Sequence, residues 1–299
     1  MTLLRLKENG LDIRAIAMGL AFAVMWSSAF TSARIIVSAA PPVSALAARF
    51  LISGMIGVLI ALALKQSWRL TPGQWRATII FGICQNALYL GLNFVAMQTV
   101  EASLAAIIAS TMPLLVGFAS WSLFSERVGM LGILGLVAGV SGTIIIMGAR
   151  IDGGADLFGV SLCVVGVVAL AFATLAVRGA TSGGNYLMIV GLQMLVGGVV
   201  LGIVAAATET IHVAWSWQLA VAFLYTTFVP GLAATFVWFW LVNRIGALKA
   251  STFHFLNPFL GVSIAAMILG EHLGIWDIIG VAIVTAGIFA VQLSRQRNT

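Results

Sequence analysis

Residues 105–142 read AAIIASTMPLLVGFASWSLFSERVGMLGILGLVAGVSG, and residues 250–287 read ASTFHFLNPFLGVSIAAMILGEHLGIWDIIGVAIVTAG. Superimposed, the two stretches share their punctuation: Pro113, Glu126, Gly129, Gly135 and Gly142 recur as Pro258, Glu271, Gly274, Gly280 and Gly287, each 145 positions on. Both are apolar runs broken by one acidic turn, so each codes for two membrane-length helices and the joint between them. A membrane protein built from two copies of one unit works at the seam between the copies.

The rest of the chain obeys the same pattern. Of its 299 residues 61% are hydrophobic and only 8% charged, with a mean hydropathy of +1.11; soluble domains carry about 25% charged residues. Lipid is therefore the solvent for most of it. The net charge of +6 does not mark a nucleic-acid binder, because the basic residues stand singly between apolar segments. Cys84 and Cys163 sit inside apolar runs as small hydrophobes, with no disulfide framework or metal set. The first apolar run follows Arg5 and Lys7 and ends at Ser38-Ala39-Ala40, but it is too long for a signal core and meets Pro41-Pro42, so it reads as a retained helix.

Apolar runs between breaks predict ten spans, near 13–37, 42–64, 75–97, 102–124, 129–149, 157–178, 185–208, 217–243, 248–270 and 274–293. With both termini and the even-numbered loops in the cytoplasm, that side holds Arg5, Lys7, Arg14, Lys65, Arg69, Arg76, Arg127, Arg178, Arg244, Lys249, Arg295 and Arg297. Arg34, Arg49 and Arg150 are left for the other half, an asymmetry that predicts N-in and C-in. Most acidic residues, Glu101, Asp152, Asp156, Glu209, Glu271 and Asp277, fall on the outer side. Five spans per copy is an odd number, so the second copy enters from the opposite side. The expected fold is an all-α polytopic membrane protein of ten transmembrane helices in two inverted five-helix repeats, residues 1–150 and 151–299. Such inverted repeats permit alternating access.

The paired motifs Ser125-Glu126-Arg127-Val128-Gly129 and Gly270-Glu271-His272-Leu273-Gly274, each leading into a glycine-spaced helix, resemble the EamA-type repeat of the drug/metabolite transporter superfamily, present twice. Trp26-Ser27-Ser28 and Arg34 resemble the family's opening pattern; Arg178 takes the matching place in the second copy, where the tryptophan has no counterpart. In its overall run the chain resembles the YddG amino-acid exporters. The resemblance implies ten helices, both termini inside, residence in a bacterial inner membrane and export of small metabolites, often amino acids.

Polar groups inside a bilayer must face protein or water, so those within the spans are candidates for the transport path. Asn86, Tyr89 and Asn93 share one face of the third helix with Gln85 beside them, and Ser251, His254 and Asn257 share one face of the ninth, followed by Gly261. The competing reading of each is a hydrogen bond between helices. Trp26 with Ser27, and Trp238, suit a cavity wall by depth, whereas Trp68, Trp75, Trp215 and Trp217 suit interfacial anchors. His254 is the one histidine within a span and either binds substrate, carries a proton if transport is proton-coupled, or packs. No Asp or Glu lies mid-span, so the cavity is expected to be uncharged. Pro113 and Pro258 occupy equivalent points in helices four and nine and read as hinges, with Pro230 a third kink in helix eight. Gly129, Gly132, Gly135, Gly139 and Gly142, and Gly274, Gly280 and Gly287, read as packing seams or a dimer face.

These features point to a secondary transporter that binds a small zwitterionic metabolite without a cofactor. Amino acids, including aromatic or bulky neutral ones, are the expected cargo and specificity is expected to be broad. A multidrug or other metabolite exporter is the alternative within transporters. An intramembrane enzyme lacks its motifs here, with no HExxH and no paired aspartates mid-span, and a channel lacks a filter loop or a ring of like charges.

Overall fold

The computed structural model describes residues 12–124, 129–176, 185–246 and 250–297. Arg5, Lys7, the Ser125–Val128 motif with Glu126 and Arg127, Arg178 and Lys249 lie outside the described residues.

Ten helical segments follow one another: α1 (Ile13–Val37), α2 (Pro42–Ala63), α3 (Pro72–Ala96), α4 (Ala102–Ser110 and Met112–Phe124), α5 (Met130–Asp152), α6 (Leu157–Ala176), α7 (Tyr186–Thr208), α8 (Trp217–Ile245), α9 (Thr252–Leu256 and Asn257–Leu269) and α10 (Ile275–Arg297). Nine are long and apolar enough to cross a bilayer among the described residues; the apolar helix of α9 is shorter, Phe253–Leu269. The third helix starts three residues before its expected position. Thr71 and Gln74 form a reciprocal capping box there, and Pro72 supplies a φ already suited to a first turn.

Three pairs of helices at equivalent places in the two repeats, α2–α7, α4–α9 and α5–α10, pack against each other head to tail. A methyl group at Gly135 of α5 would stand 2.7 Å from the Gly287 carbonyl oxygen of α10, and one at Gly142 would stand 2.9 Å from that of Gly280. Because 135 corresponds to 280 and 142 to 287 in the repeat, each contact is the two-fold image of the other. The α2–α7 seam is built alike: a methyl at Gly54 would meet Leu195, and one at Gly198 would meet Leu51. Glycine lets the backbones approach where lipid supplies no hydrophobic drive between helices. The α5 and α10 glycines thus form a seam within the chain, and those of α2 and α7 form a second that sequence reading did not single out.

The same symmetry governs the helix starts, whose first N–H groups have no partner within the helix. Glu209, just past α7, accepts from Val43 N (2.9 Å) and Ser44 N (2.7 Å) at the start of α2. Gln66, just past α2, accepts from Leu187 N and Met188 N at the start of α7, both at 3.1 Å. Glu271, just past α9, accepts from Ala102 N (2.8 Å) and Ser103 N (2.9 Å) at the start of α4. In each case the end of one helix touches the start of its counterpart in the other repeat, so counterparts run antiparallel and the repeats are inverted. Asp12, before α1, pairs with Arg244 at the end of α8 (Nε–Oδ2 2.7 Å), placing the start of the first span on the face where even-numbered spans end. Both ends of the set therefore share the basic, cytoplasmic face. On the other face Arg150 joins α5 to Asp277 of α10 at 2.9 Å and to Glu101.

Four helices depart from regular α geometry within the membrane. The α3 backbone widens to a π-helix over Gly82–Tyr89, and α8 does so over Val229–Ala233, an equivalent stretch. The α4 helix breaks between Ser110 and Met112, one residue before Pro113. The α9 segment passes from a 3-10 turn, Thr252–Leu256, into α-helix at Asn257, one residue before Pro258. Neither proline kinks a continuous helix; each sits in the first turn of a new one, where its missing N–H is harmless.

Three outcomes test this construction. Gly287→Leu forces a side chain into the α5 backbone and lowers stability by about 1–3 kcal/mol, read as thermal unfolding in detergent. Glu271→Ala strips two N–H groups of their acceptor and lowers it by about 0.5–2 kcal/mol, with Glu271→Gln in between. Asp156 is held below the ordinary carboxylate value of 3.8 by the Thr99 hydroxyl at 2.6 Å and then by Gly159 N, and Asp12 is held below it by Arg244. Their contributions are complete above pH 3.8 and vanish as pH falls through the lower folded-state values; removing both carboxylates should flatten the acid limb of a stability–pH curve.

Candidate functional site

The symmetric seams leave a cavity of about 420 Å³ between the repeats, walled by α1, α2, α3 and α4 from one and α6, α7, α8 and α9 from the other. Both π-helices border it: Gln85, Asn86 and Tyr89 come from the first, Pro230 and Gly231 from the second. A widened turn displaces the side chains that follow it, and such turns recur at ligand sites.

Seven of the ten residues expected from sequence line this space: Trp26, Gln85, Asn86, Tyr89, Asn93, Trp238 and His254. The amides of both asparagines are already bonded. The Asn86 amide donates to the Gln193 carbonyl of α7 at 2.9 Å, and the Asn93 amide donates to the Tyr89 carbonyl of its own helix at 2.8 Å. Asn93 Oδ1 is buried with no partner among the described residues.

Ser27, Asn257 and Ser251 do not line the cavity. Ser27 Oγ donates to Asn257 Oδ1 at 3.4 Å, and the Asn257 amide donates to His254 Nδ1 at 3.0 Å. An amide nitrogen only donates, so Nδ1 is the acceptor and a neutral imidazole carries its proton on Nε2. Ser27 and Asn257 thus stand behind His254 and fix its tautomer. Ser251 sits at the start of the 3-10 turn, and its backbone carbonyl accepts from Gln292 of α10 at 2.7 Å. The 3-10 turn breaks the helical spacing, which is why one face of α9 does not present all three side chains to the cavity.

Three aromatic rings surround the imidazole. Phe22 and Trp238 each lie 5.2 Å from it, centre to centre, and Trp26 lies at 6.2 Å, with Phe22 and Trp26 presenting edge contacts near perpendicular. Phe22 and Trp238 are themselves 4.7 Å apart. Phe22 had no polar signal in the sequence; it lies one helical turn from Trp26 on α1, and that spacing is the signal that would have found it.

The expectation of an uncharged cavity fails. Arg49 lines it from within α2, only 6% exposed, and is not part of an outer loop. Its Nε donates to the Thr226 carbonyl at 3.2 Å, and its guanidinium lies 5.1 Å from the centre of the Phe50 ring. Pro230 is four residues after Thr226 and brings no N–H to that carbonyl; Arg49 supplies a donor from another helix. A basic residue well inside an apolar run, with a proline inside the span that must receive it, was the sequence signal. Counting it only as an orientation marker for the outer half hid it.

Among proteins of known sequence, the chain is 26% identical to the uncharacterized transporter YvbV of Bacillus subtilis over 278 residues, which cover 92% of this chain and 91% of that one. It is 26% identical to the uncharacterized inner membrane transporter YedA of Escherichia coli strain K12 over 284 residues, 91% and 88% of the two chains. A solved crystal structure, 20% identical, superimposes with a TM-score of 0.67 and covers 96% of this chain and 99% of its own; it bears on fold alone. The model of the EamA-like transporter family matches twice, over residues 13–148 and 157–293. Two inverted five-helix repeats around one cavity, matched along almost their whole length, make the chain a multi-pass cell-membrane transporter that belongs to the EamA-like transporter family.

Proposed function

We propose that this transporter exports amino acids, neutral ones with aromatic or bulky side chains above all, by alternating access with broad specificity. The single observation that carries the reading is the composition of the cavity: three aromatic rings about an imidazole, with amides and a guanidinium in the same space. Aromatic walls accept apolar side chains of many shapes, because ring faces and edges offer area without fixed directional demands. Polar groups then orient the backbone atoms shared by all amino acids. Such walls favour wide acceptance over discrimination.

The inverted symmetry supports alternating access. Paired π-helices in α3 and α8, and paired breaks in α4 and α9, stand at equivalent points of the two repeats. Exchanging the conformations of the repeats would close the cavity to one side and open it to the other. Proton coupling, if present, would run through His254, which faces no carboxylate among the residues lining the cavity.

Purified protein in liposomes tests the reading. Labelled phenylalanine should enter faster when unlabelled phenylalanine is preloaded, and tyrosine, tryptophan and leucine should compete; equal rates with and without preloading would point to a pore. Trp238→Ala and His254→Ala should each lower counterflow about tenfold, equivalent to about 1.4 kcal/mol. Trp121→Ala, on an outward face 48% exposed, should leave it unchanged.

A further inference from the structure

We propose that Arg49 is the anchor for a carboxylate on the transported molecule, which makes the cargo an organic anion or zwitterion rather than an organic cation. This inference rests on the exporter reading above and narrows its substrate class.

Arg49 stands seven residues into α2, about 10 Å along the helix from its start at Pro42. It is 6% exposed. A cation in that position is costly unless an opposite charge and hydrogen-bond acceptors compensate it. The protein supplies only part of that compensation: Nε is satisfied by the Thr226 carbonyl, and the Phe50 ring lies 5.1 Å away. Nη1 and Nη2 have no hydrogen-bond or ion-pair partner among the described residues, and no Asp or Glu lines the cavity.

A guanidinium fixed at Nε and open at both terminal nitrogens matches the two oxygens of a carboxylate. The bond to Thr226 holds the plane, because that carbonyl belongs to the bend that Pro230 creates. Gly231, which also lines the cavity, lies beside Nη2: a methyl there would stand 3.6 Å from it. Phe22, Trp26 and Trp238 belong to the same cavity and are apolar partners for the rest of the molecule. A ligand with a carboxylate and an aromatic group uses both.

The test compares three probes of one shape: phenylalanine, 3-phenylpropionate, which lacks the amine, and phenethylamine, which lacks the carboxylate. Binding to the full-length protein in detergent is read by quenching of tryptophan fluorescence. The wild-type protein should bind both carboxylates at least about tenfold more tightly than phenethylamine. Arg49→Gln should lose at least about tenfold for the carboxylates while phenethylamine stays within about twofold, and Arg49→Lys should recover part of the loss, since it restores charge without the fork. A purely structural role for Arg49 would weaken all three probes together.

The proposal is overturned if phenethylamine binds wild type as well as 3-phenylpropionate does, if no carboxylate binds, or if Arg49→Gln binds carboxylates unchanged. Should Arg49→Gln fail to fold, the wild-type ranking alone decides. Arginine-dependent binding of 3-phenylpropionate without phenylalanine counterflow keeps the anchor and removes the amino-acid reading. Phenylalanine counterflow with equal binding of the amine does the reverse.

Discussion

The unpaired N–H groups at the start of a membrane helix are the constraint from which the rest of this structure follows. The helix itself offers them no partner, and a buried donor left without an acceptor costs about 1–3 kcal/mol. Here the acceptors come from the opposite repeat: Glu209 for α2, Gln66 for α7 and Glu271 for α4. An acceptor at the end of one helix can reach the start of another only if the two run antiparallel side by side. The same antiparallel pairing of α5 with α10 brings Gly135 against Gly287 and Gly142 against Gly280, so capping and close packing demand the same geometry. α5 and α10 are spent on one seam alone, whereas α2 and α7 form the other seam and also join the remaining six helices in walling the cavity.

Much of this architecture was legible because apolar length and glycine spacing are strong local signals. Gly135 and Gly142 mark a small-residue face whatever they touch, and the turn glutamate repeats with them. The function of that glutamate was not legible, since Glu271 and Ala102 are 169 positions apart and nothing in either neighbourhood names the other. Departures from regular helix were hidden for a different reason. The π-helix of α3 contains no proline, and its sequence, GICQNALY, reads as ordinary apolar helix. It lies packed against α6 and α7, with Gly197 of α7 seated against Asn86.

The site divides along the same line. Spacing found Gln85, Asn86, Tyr89, Asn93 and His254, because a polar residue in an apolar run stands out alone. It also selected Ser251 and Asn257, which flank a 3-10 turn that spacing assumes away, while Ser27, taken with its neighbour Trp26, bonds Asn257 behind His254. Arg49 escaped because rules for membrane orientation treat a basic residue as a loop marker. Whether a buried guanidinium is tolerable depends on an acceptor such as the Thr226 carbonyl, which lies 177 positions along the chain and owes its availability to Pro230.

The reciprocal caps also bear on how the protein is made. Val43 and Glu209 are separated by 166 residues. Synthesis at about 5–20 residues per second leaves on the order of ten to thirty seconds between the emergence of α2 and that of its acceptor. During that interval the first five helices sit in the membrane with exposed helix starts and a glycine groove awaiting α7. The first half therefore obtains these acceptors only after the second half has been threaded in the opposite sense.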